Sequence, residues 1–374
     1  MVITDRDGFN TIVIGEIMTL KFKPDFAETR AAWDCYWHGE CLKRPLVVIQ
    51  TPNPDRPPSG LSDLYWNAVH RLWDKQFAQM DAWMESTLFL GESVPFMSPD
   101  LGASQFAAFF GGNLKFSPDS RHTNWCDPFV SDWREALPLK IDGENAVWQT
   151  IIEYAQRLAE HARGKFLVGM IDLHSNADAL AAMRGTQDFC TDLLDCPDLV
   201  ERAMLDVRRA YAKVYDSIYE AGGMSGETGT IGWIPFWCEG RFAVIESDFI
   251  CMVSPETSRR FIIPALEEEA SSLDHCVFHL DGAGALPHLN DILSIKKIDA
   301  IQWVSGDGQP PMHQWTDVLK KCQEAGKGLQ VYDLRFEDIK RLHRELKPDG
   351  VVYCPNVRDA AEAREIIKWL ERNT

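Results

Sequence analysis

His279 and Asp281 stand one residue apart in the run His279-Leu280-Asp281-Gly282. On an extended strand, residues two apart point to the same side, so this imidazole and carboxylate can reach one ligand. Such a pair can hold a metal ion or work as acid and base. The structural alternative is a histidine satisfied by its own hydrogen bonds and an aspartate capping the next helix. Cys354 can join them, because His, Asp and Cys all ligate zinc, and three protein donors with one open position is the catalytic arrangement. A buried inert thiol is the competing reading of Cys354. Asp172-Leu173-His174 offers the same two groups in reverse order, with Asn176 and Asp178 behind them. Asp178 is placed to cap a helix beginning at Ala179.

A glycine-rich run from Gly222 to Gly232 is flanked by Glu227, Glu239, Glu246 and Asp248. Its amides can cradle an anion, although a plain loop is the simpler reading. Facing carboxylates suit proton transfer to a sugar-like substrate, and Glu239 is the candidate acid from this group. The catalytic candidates are thus His279, Asp281, Asp172, His174 and Glu239, with His279, Asp281 and Cys354 as the metal set. Binding candidates follow from strand ends. Trp233, Trp237 and Trp303 can wall an organic substrate, although core packing is the usual role of any one of the 13 tryptophans. Gln302, Asp248 and Arg335 also fall near strand ends. His288 lies on the segment after the His279 strand, where it can turn to the mouth or pack inside.

These residues need a frame that brings distant strand ends together. Short apolar runs alternate with helical patterns along most of the chain, most regularly from Pro255 onward. The expected strands there are 276–280, 300–304, 328–332 and 351–354. Expected helices are 255–273, with Ser254 as cap and Pro255 in the first turn, then 286–295, 315–325, 336–346 and 359–372. Earlier strands are expected at 44–49, 92–97, 166–171 and 230–237, with a short strand or hairpin over 11–23. Helices are expected at 31–42, 104–110, 147–163 and a long block over 178–221 broken at Gly185 and Pro197. The stretch 114–145 reads as an irregular excursion. This alternation implies a parallel sheet, and the repeat number favours a (β/α)8 TIM barrel, whose working end is the C-terminal end of its strands. One domain over 1–374 is expected, with residues 1–80 as an irregular N-terminal extension packed on the barrel.

Composition narrows the partners. The net charge of −18 argues against nucleic acid, which needs clustered Lys and Arg. Asp5, Arg6 and Asp7 stand where the apolar stretch of a signal peptide would begin, and no run of 18 apolar residues exists. Ten cysteines without a CxxC pair suit a reducing compartment. A cytoplasmic location and no membrane partner are the expectations. Neither GxGxxG nor GxxxxGK[ST] occurs, which removes the simplest nucleotide-binding readings.

The run Asp248-Phe249-Ile250-Cys251-Met252-Val253-Ser254-Pro255-Glu256, the strand ending His279-Leu280-Asp281-Gly282, the run Ile298–Trp303, and Arg184-Gly185 with Cys196-Pro197-Asp198-Leu199-Val200 together resemble the uroporphyrinogen decarboxylase superfamily. The resemblance spans about residues 85 to 372. That superfamily includes zinc-dependent methyltransferases working with corrinoid proteins or thiol acceptors, and the resemblance implies a (β/α)8 barrel, often dimeric. The arginine-rich N-terminal motif of true uroporphyrinogen decarboxylases is missing here, where the chain reads Arg30-Ala31-Ala32-Trp33-Asp34. The zinc methyltransferases carry His-x-Cys where this chain has His279-x-Asp281, so an oxygen replaces sulfur and makes a harder site. Cys354 can correspond to their later cysteine. The expectation is metal-assisted methyl transfer to or from a corrinoid or thiol carrier, with zinc and a corrinoid-carrying partner protein. Two alternatives stand beside it: a metal-independent lyase or hydrolase on a small polar or sugar-like substrate, and a ligand-binding barrel without catalysis.

Overall fold

Runs such as Phe242-Ala243-Val244-Ile245-Glu246 are buried along their whole length, as expected for strands covered on both faces. In the computed structural model, which describes residues 2–4, 11–13, 18–41 and 43–374, seven strands make the central sheet. They are β1 (Leu46–Pro52), β2 (Thr87–Gly91), β3 (Phe242–Glu246), β4 (His275–Asp281), β5 (Ala300–Val304), β6 (Gly328–Leu334) and β7 (Val351–Pro355). Their spatial order is β3-β4-β5-β6-β7-β1-β2. Every neighbouring pair is parallel except β1 and β2, which are antiparallel. The chain is a mixed α/β protein with a mostly parallel central sheet and many helices.

Helices between the strands bury one stripe each. In Ala360–Asn373 the buried residues are Ala363, Ile366 and Leu370, the three-and-four spacing of an amphipathic helix. Ser254 caps the helix Pro255–Phe261 by accepting the Thr257 N–H, and Pro255 occupies its first turn. Three helices, Asn176–Arg184, Thr186–Asp195 and Pro197–Ala221, replace the long block, with breaks at Gly185 and Cys196.

Several expected elements are shorter or split, each for a local reason. Pro264 lacks an N–H, and the expected helix over 255–273 divides at Ile262 into Pro255–Phe261 and Ile263–Ser271. The segment 230–237 is not one strand. It is an antiparallel hairpin of Thr230–Ile231 and Trp237–Cys238, with Gly232 and Pro235 in its loop. The strand expected at 92–97 shrinks to Phe96–Met97 after Pro95, and Thr87–Gly91 adds an antiparallel strand beside β1. Phe96–Met97 pairs in parallel with Leu167–Val168, and the Met170 N–H then donates to the Ile231 carbonyl at 2.7 Å. The excursion over 114–145 holds a small hairpin, Leu114–Phe116 with Asn124–Cys126, and the short helix Trp133–Ala136. The helix expected at 31–42 runs instead over Phe26–Trp37, and Leu42 lies outside the described residues. Of the hairpin expected within 11–23, Thr11–Val13 pairs with Val2–Thr4, residues 14–17 lie outside the described residues, and residues 18–23 are not strand. Leu46–Pro52 lies inside the span expected as an extension, yet it sits in the sheet between β7 and β2. No helix among the described residues is long and apolar enough to cross a membrane.

Candidate active site

Parallel register places four polar side chains in one rung at the C-terminal half of the sheet. Glu246 of β3 pairs with His279 of β4, His279 with Gln302 of β5, and Gln302 with Gln330 of β6. The last three of them bond to one another in sequence. His279 Nδ1 lies 2.5 Å from Gln302 Oε1, Gln302 Nε2 donates to Gln330 Oε1 at 2.5 Å, and Gln330 Nε2 donates to Cys354 Sγ at 3.4 Å. The two amides therefore point in a consistent direction, so His279 carries its proton on Nδ1 and leaves Nε2 free as an acceptor or ligand. Trp233 sets its ring edge-on to His279, with centroids 5.0 Å apart.

The loop after Leu167–Val168 brings Asp172 and His174 to the end of β3. His174 Nε2 lies 3.2 Å from Asp172 and 3.5 Å from Glu246 Oε1, and its Nδ1 lies 3.9 Å from Asp178. Asn176 fixes this loop. Its φ of +46° lies in the left-handed region, a conformation that usually needs compensating contacts. Its side chain supplies them, donating to the Glu246 carbonyl at 2.9 Å and to the buried Glu269. Asp178 accepts the N–H groups of Asp248 and Phe249 at 3.0 and 2.7 Å, which ties the same helix to the segment after β3. Rather than capping a helix that begins at Ala179, Asp178 lies in the first turn of Asn176–Arg184.

Among the described residues, two sets of three donors bring their ligand atoms within 4.8 Å of one another: Asp172, His174 and Glu246, and Glu246, Asp248 and His279. Glu246 belongs to both. It is 3 % exposed, and its Oε1, like Oδ1 of Asp172, is buried without a hydrogen-bond partner. Orphaned buried carboxylate oxygens are costly, and a proton or a cation relieves them. Burial, with Asp172 alongside, pushes the Glu246 carboxyl well above the usual carboxylate range. Burial also works against Asp172, but the neighbouring His174 outweighs it and holds that carboxyl low. His174 is raised well above an ordinary imidazole because the carboxylates of Glu246 and Asp172 outweigh its burial. Burial and then Asp172 lift Asp100 to about 7, and burial lifts Asp178 to about 6. Asp100 joins the group by accepting the Asp172 N–H at 2.9 Å.

Two clefts reach this group. One of about 430 Å³ includes Tyr65, Phe96, Asp100 and Trp233 in its walls. The other, of about 490 Å³, includes Trp125, His174, Asp178 and Asp248.

The structure thus gathers Asp172, His174, Asp248, Gln302, Trp233 and His279 in one place. Asp281 stands half-buried at the end of β4, and its carbonyl accepts the Cys251 thiol at 3.3 Å; it is in neither donor set. Cys354 lies at the far end of the glutamine chain, and burial pushes its thiol up to about 12. Trp303 is fully buried on the opposite face of β5, packed edge-on to Trp315, because neighbours on a strand alternate sides. Trp237 is buried against Phe26, and Glu239 is 69 % exposed beside Arg30; both precede β3, whereas Glu246 ends it. His288 is buried, bonded to Ser258 at 3.0 Å, and burial lowers its basicity. Arg335 is 82 % exposed and paired with Asp338 at the start of a helix.

Glu246 and Asp100 are the members that sequence reasoning missed as site residues. The signal for Glu246 was the four-residue apolar run before it, Phe242 to Ile245, masked by the glycine-rich stretch upstream.

No protein-family model and no curated protein matches the sequence. Among solved structures the chain is similar to a methyltransferase from Methanosarcina mazei, with a TM-score of 0.57 and 12 % identity over 92 % of this chain and 98 % of that one. At that identity the likeness concerns the fold.

Proposed function

We propose that the protein is a methyl-transferring enzyme of the uroporphyrinogen decarboxylase-like class, built as a single (β/α)8 barrel to which Leu46–Pro52 contributes a strand. Four features support barrel closure: the seven-stranded sheet, the parallel pair Phe96–Met97 and Leu167–Val168, the bond from Met170 to Ile231, and the packing of Thr230–Ile231 on both Leu167–Val168 and β3. The observation that carries the functional reading is the buried Glu246, whose Oε1 makes no hydrogen bond, shared by two histidine–carboxylate sets at the C-terminal strand ends, in a fold similar to that of a methyltransferase.

The donor chemistry fits a divalent cation that accepts nitrogen and oxygen ligands, zinc included. His279, Glu246 and Asp248 would hold it, or Asp172, His174 and Glu246. In the earlier expectation Asp281 and Cys354 completed the set; Glu246 and Asp248 now serve better, since they converge on His279. A bound cation would act as a Lewis acid, lowering the pKa of a thiol or similar acceptor. The chain's own residues do the rest. Gln302 fixes the His279 tautomer, leaving Nε2 available. Burial pushes the Glu246 carboxyl up while His174 holds Asp172 down, so the two neighbouring carboxyls differ in proton affinity. Trp233 shields His279 from water. A corrinoid stays on a partner protein in this reading, because a cleft of about 430 Å³ suits a small molecule rather than a macrocycle. A cytoplasmic homodimer is the working assembly we adopt.

The test uses methylcob(III)alamin and a small thiol. The methyl passes to sulfur, the thiol loses its proton, and cob(I)alamin is released. Protein-dependent loss of the alkyl-cobalt absorbance, abolished in Glu246→Gln, is the expected result; no turnover with any thiol acceptor tried contradicts the reading. A metal-free lyase or hydrolase is the second reading. It is supported by the opposite shifts of Glu246 and Asp172, the pattern of a matched acid and base.

A further inference from the structure

The cleft of about 430 Å³ beside the carboxylate group has a distinct chemistry. Its walls include the half-buried aromatic side chains Tyr65, Trp83, Phe96 and Trp233, with the buried Tyr154 behind them. Two carboxylates, Asp63 and Asp100, also line it. Among the described residues no lysine or arginine does, and the one basic side chain there, His122, already lies 3.8 Å from Asp63. Asp100 continues inward to Asp172 through the backbone bond at 2.9 Å, and Asp172 and the 3 % exposed Glu246 each keep a buried oxygen without a partner. His174 is held against Asp172 at 3.2 Å. Among the described lining residues the carboxyls of Asp63 and Asp100 outnumber the one imidazole of His122, so the cleft offers an anionic ligand no strong positive partner.

Aromatic faces and carboxylates together favour an organic cation, because a ring face attracts positive charge while also burying methyl groups. We propose that this cleft binds a methylated ammonium ion, its cationic head enclosed by Tyr65, Phe96 and Trp233 above Asp100. That the bound amine is the methyl donor rests on the methyl-transfer reading; that it is bound does not.

The probes are choline, tetramethylammonium, the uncharged choline isostere 3,3-dimethylbutan-1-ol, and glucose, titrated into the full-length protein by calorimetry and tryptophan fluorescence. Choline or tetramethylammonium should bind at least about tenfold more tightly than the alcohol, and glucose should not displace either. Asp100→Asn and Trp233→Leu should each weaken the ammonium by about tenfold with an unchanged circular dichroism spectrum. If Asp100→Asn fails to fold, Trp233→Phe against Trp233→Leu decides: binding kept in the first and lost in the second is expected. Equal affinity for the alcohol, displacement by glucose, no ammonium binding at millimolar concentration, or unaltered affinity in Trp233→Leu overturns the proposal. Ammonium binding without any methyl transfer upholds this cleft and removes the methyl-transfer reading. Methylcobalamin turnover without ammonium binding removes this inference alone.

Discussion

His275 and His279 lie on the same strand, four residues apart, and each meets a tryptophan. The Trp37 ring stacks on His275 with centroids 4.3 Å apart, and Trp233 stands edge-on to His279 at 5.0 Å. Their cross-strand partners differ. His275 pairs with Phe242 and His279 with Glu246, at the two ends of β3. Around His275 the chain closes with Trp33, Tyr36, Trp37 and Phe236 in mutual ring contact. Around His279 it leaves carboxylate oxygens without partners and a cleft open to solvent. A histidine beside a tryptophan is thus no site by itself. The register of the neighbouring strand decides whether the histidine stands beside an aromatic side chain or a carboxylate.

The comparison is broken most sharply by alanine at each histidine. His279→Ala should lower methyl transfer by about 10²-fold or more, the scale of losing a positioned acid, base or ligand, while His275→Ala stays within about twofold. Equal losses would mean that the two ends of β4 do not differ in function. Urea unfolding gives the reverse contrast. Trp33→Ala, in the packed end, should cost about 3–5 kcal/mol, whereas Glu246→Gln should leave stability at neutral pH unchanged or raised, since it removes a buried ionisable group.

Gln302→Leu sharpens the account of the rung. Without its carbonyl the His279 tautomer is no longer fixed, and metal affinity should fall by about 10-fold or more, with the pH profile of activity displaced. Titration against a chelator reads both Gln302→Leu and wild type.

Thermal stability should also depend on pH with a definite sign. Asp100, Asp178 and Glu269 stand at about 7, 6 and 8, all above their unfolded values. The folded state then keeps protons that the unfolded chain loses, so stability is full below the ordinary carboxylate range and declines as pH rises through 6 to 8. His174, also raised, acts in the same direction. Asp172, held low, matters only below about pH 4. Scanning calorimetry should show a lower Tm near pH 8 than near pH 5.5, with a smaller slope in Glu269→Gln. A Tm that rises over this range contradicts these assignments. The smallest effects belong to Arg335→Ala and Glu239→Gln, each leaving the unfolding midpoint and turnover unchanged, because both side chains are largely exposed.

Much of the frame was legible because the last third of the chain repeats a simple pattern. Ala300–Val304 coincides with the expected strand, and β4, β6 and β7 differ by one or two residues. Two-residue strands such as Leu167–Val168 and Phe96–Met97 carry too little pattern to delimit. His279 and the Asp172–His174 pair were legible from motif alone. Glu246 was not, since its strand is a buried apolar run that shows no alternation, and a glycine-rich stretch stands just before it. Trp303 was misplaced for a related reason. Strand identity was clear, but which side of the sheet a residue takes depends on the register set by Glu246, His279 and Gln302, and that register is a property of three strands far apart in sequence.

The central claim is that Glu246 joins His279 and its neighbouring carboxylates into one cation site. Elemental analysis of protein purified without a metal-binding tag tests it most directly. The account predicts divalent metal near one equivalent in wild type, lost in both His279→Ala and Glu246→Gln but kept in His275→Ala. Metal-free wild-type protein with full turnover, or metal retained in both site variants, would contradict it.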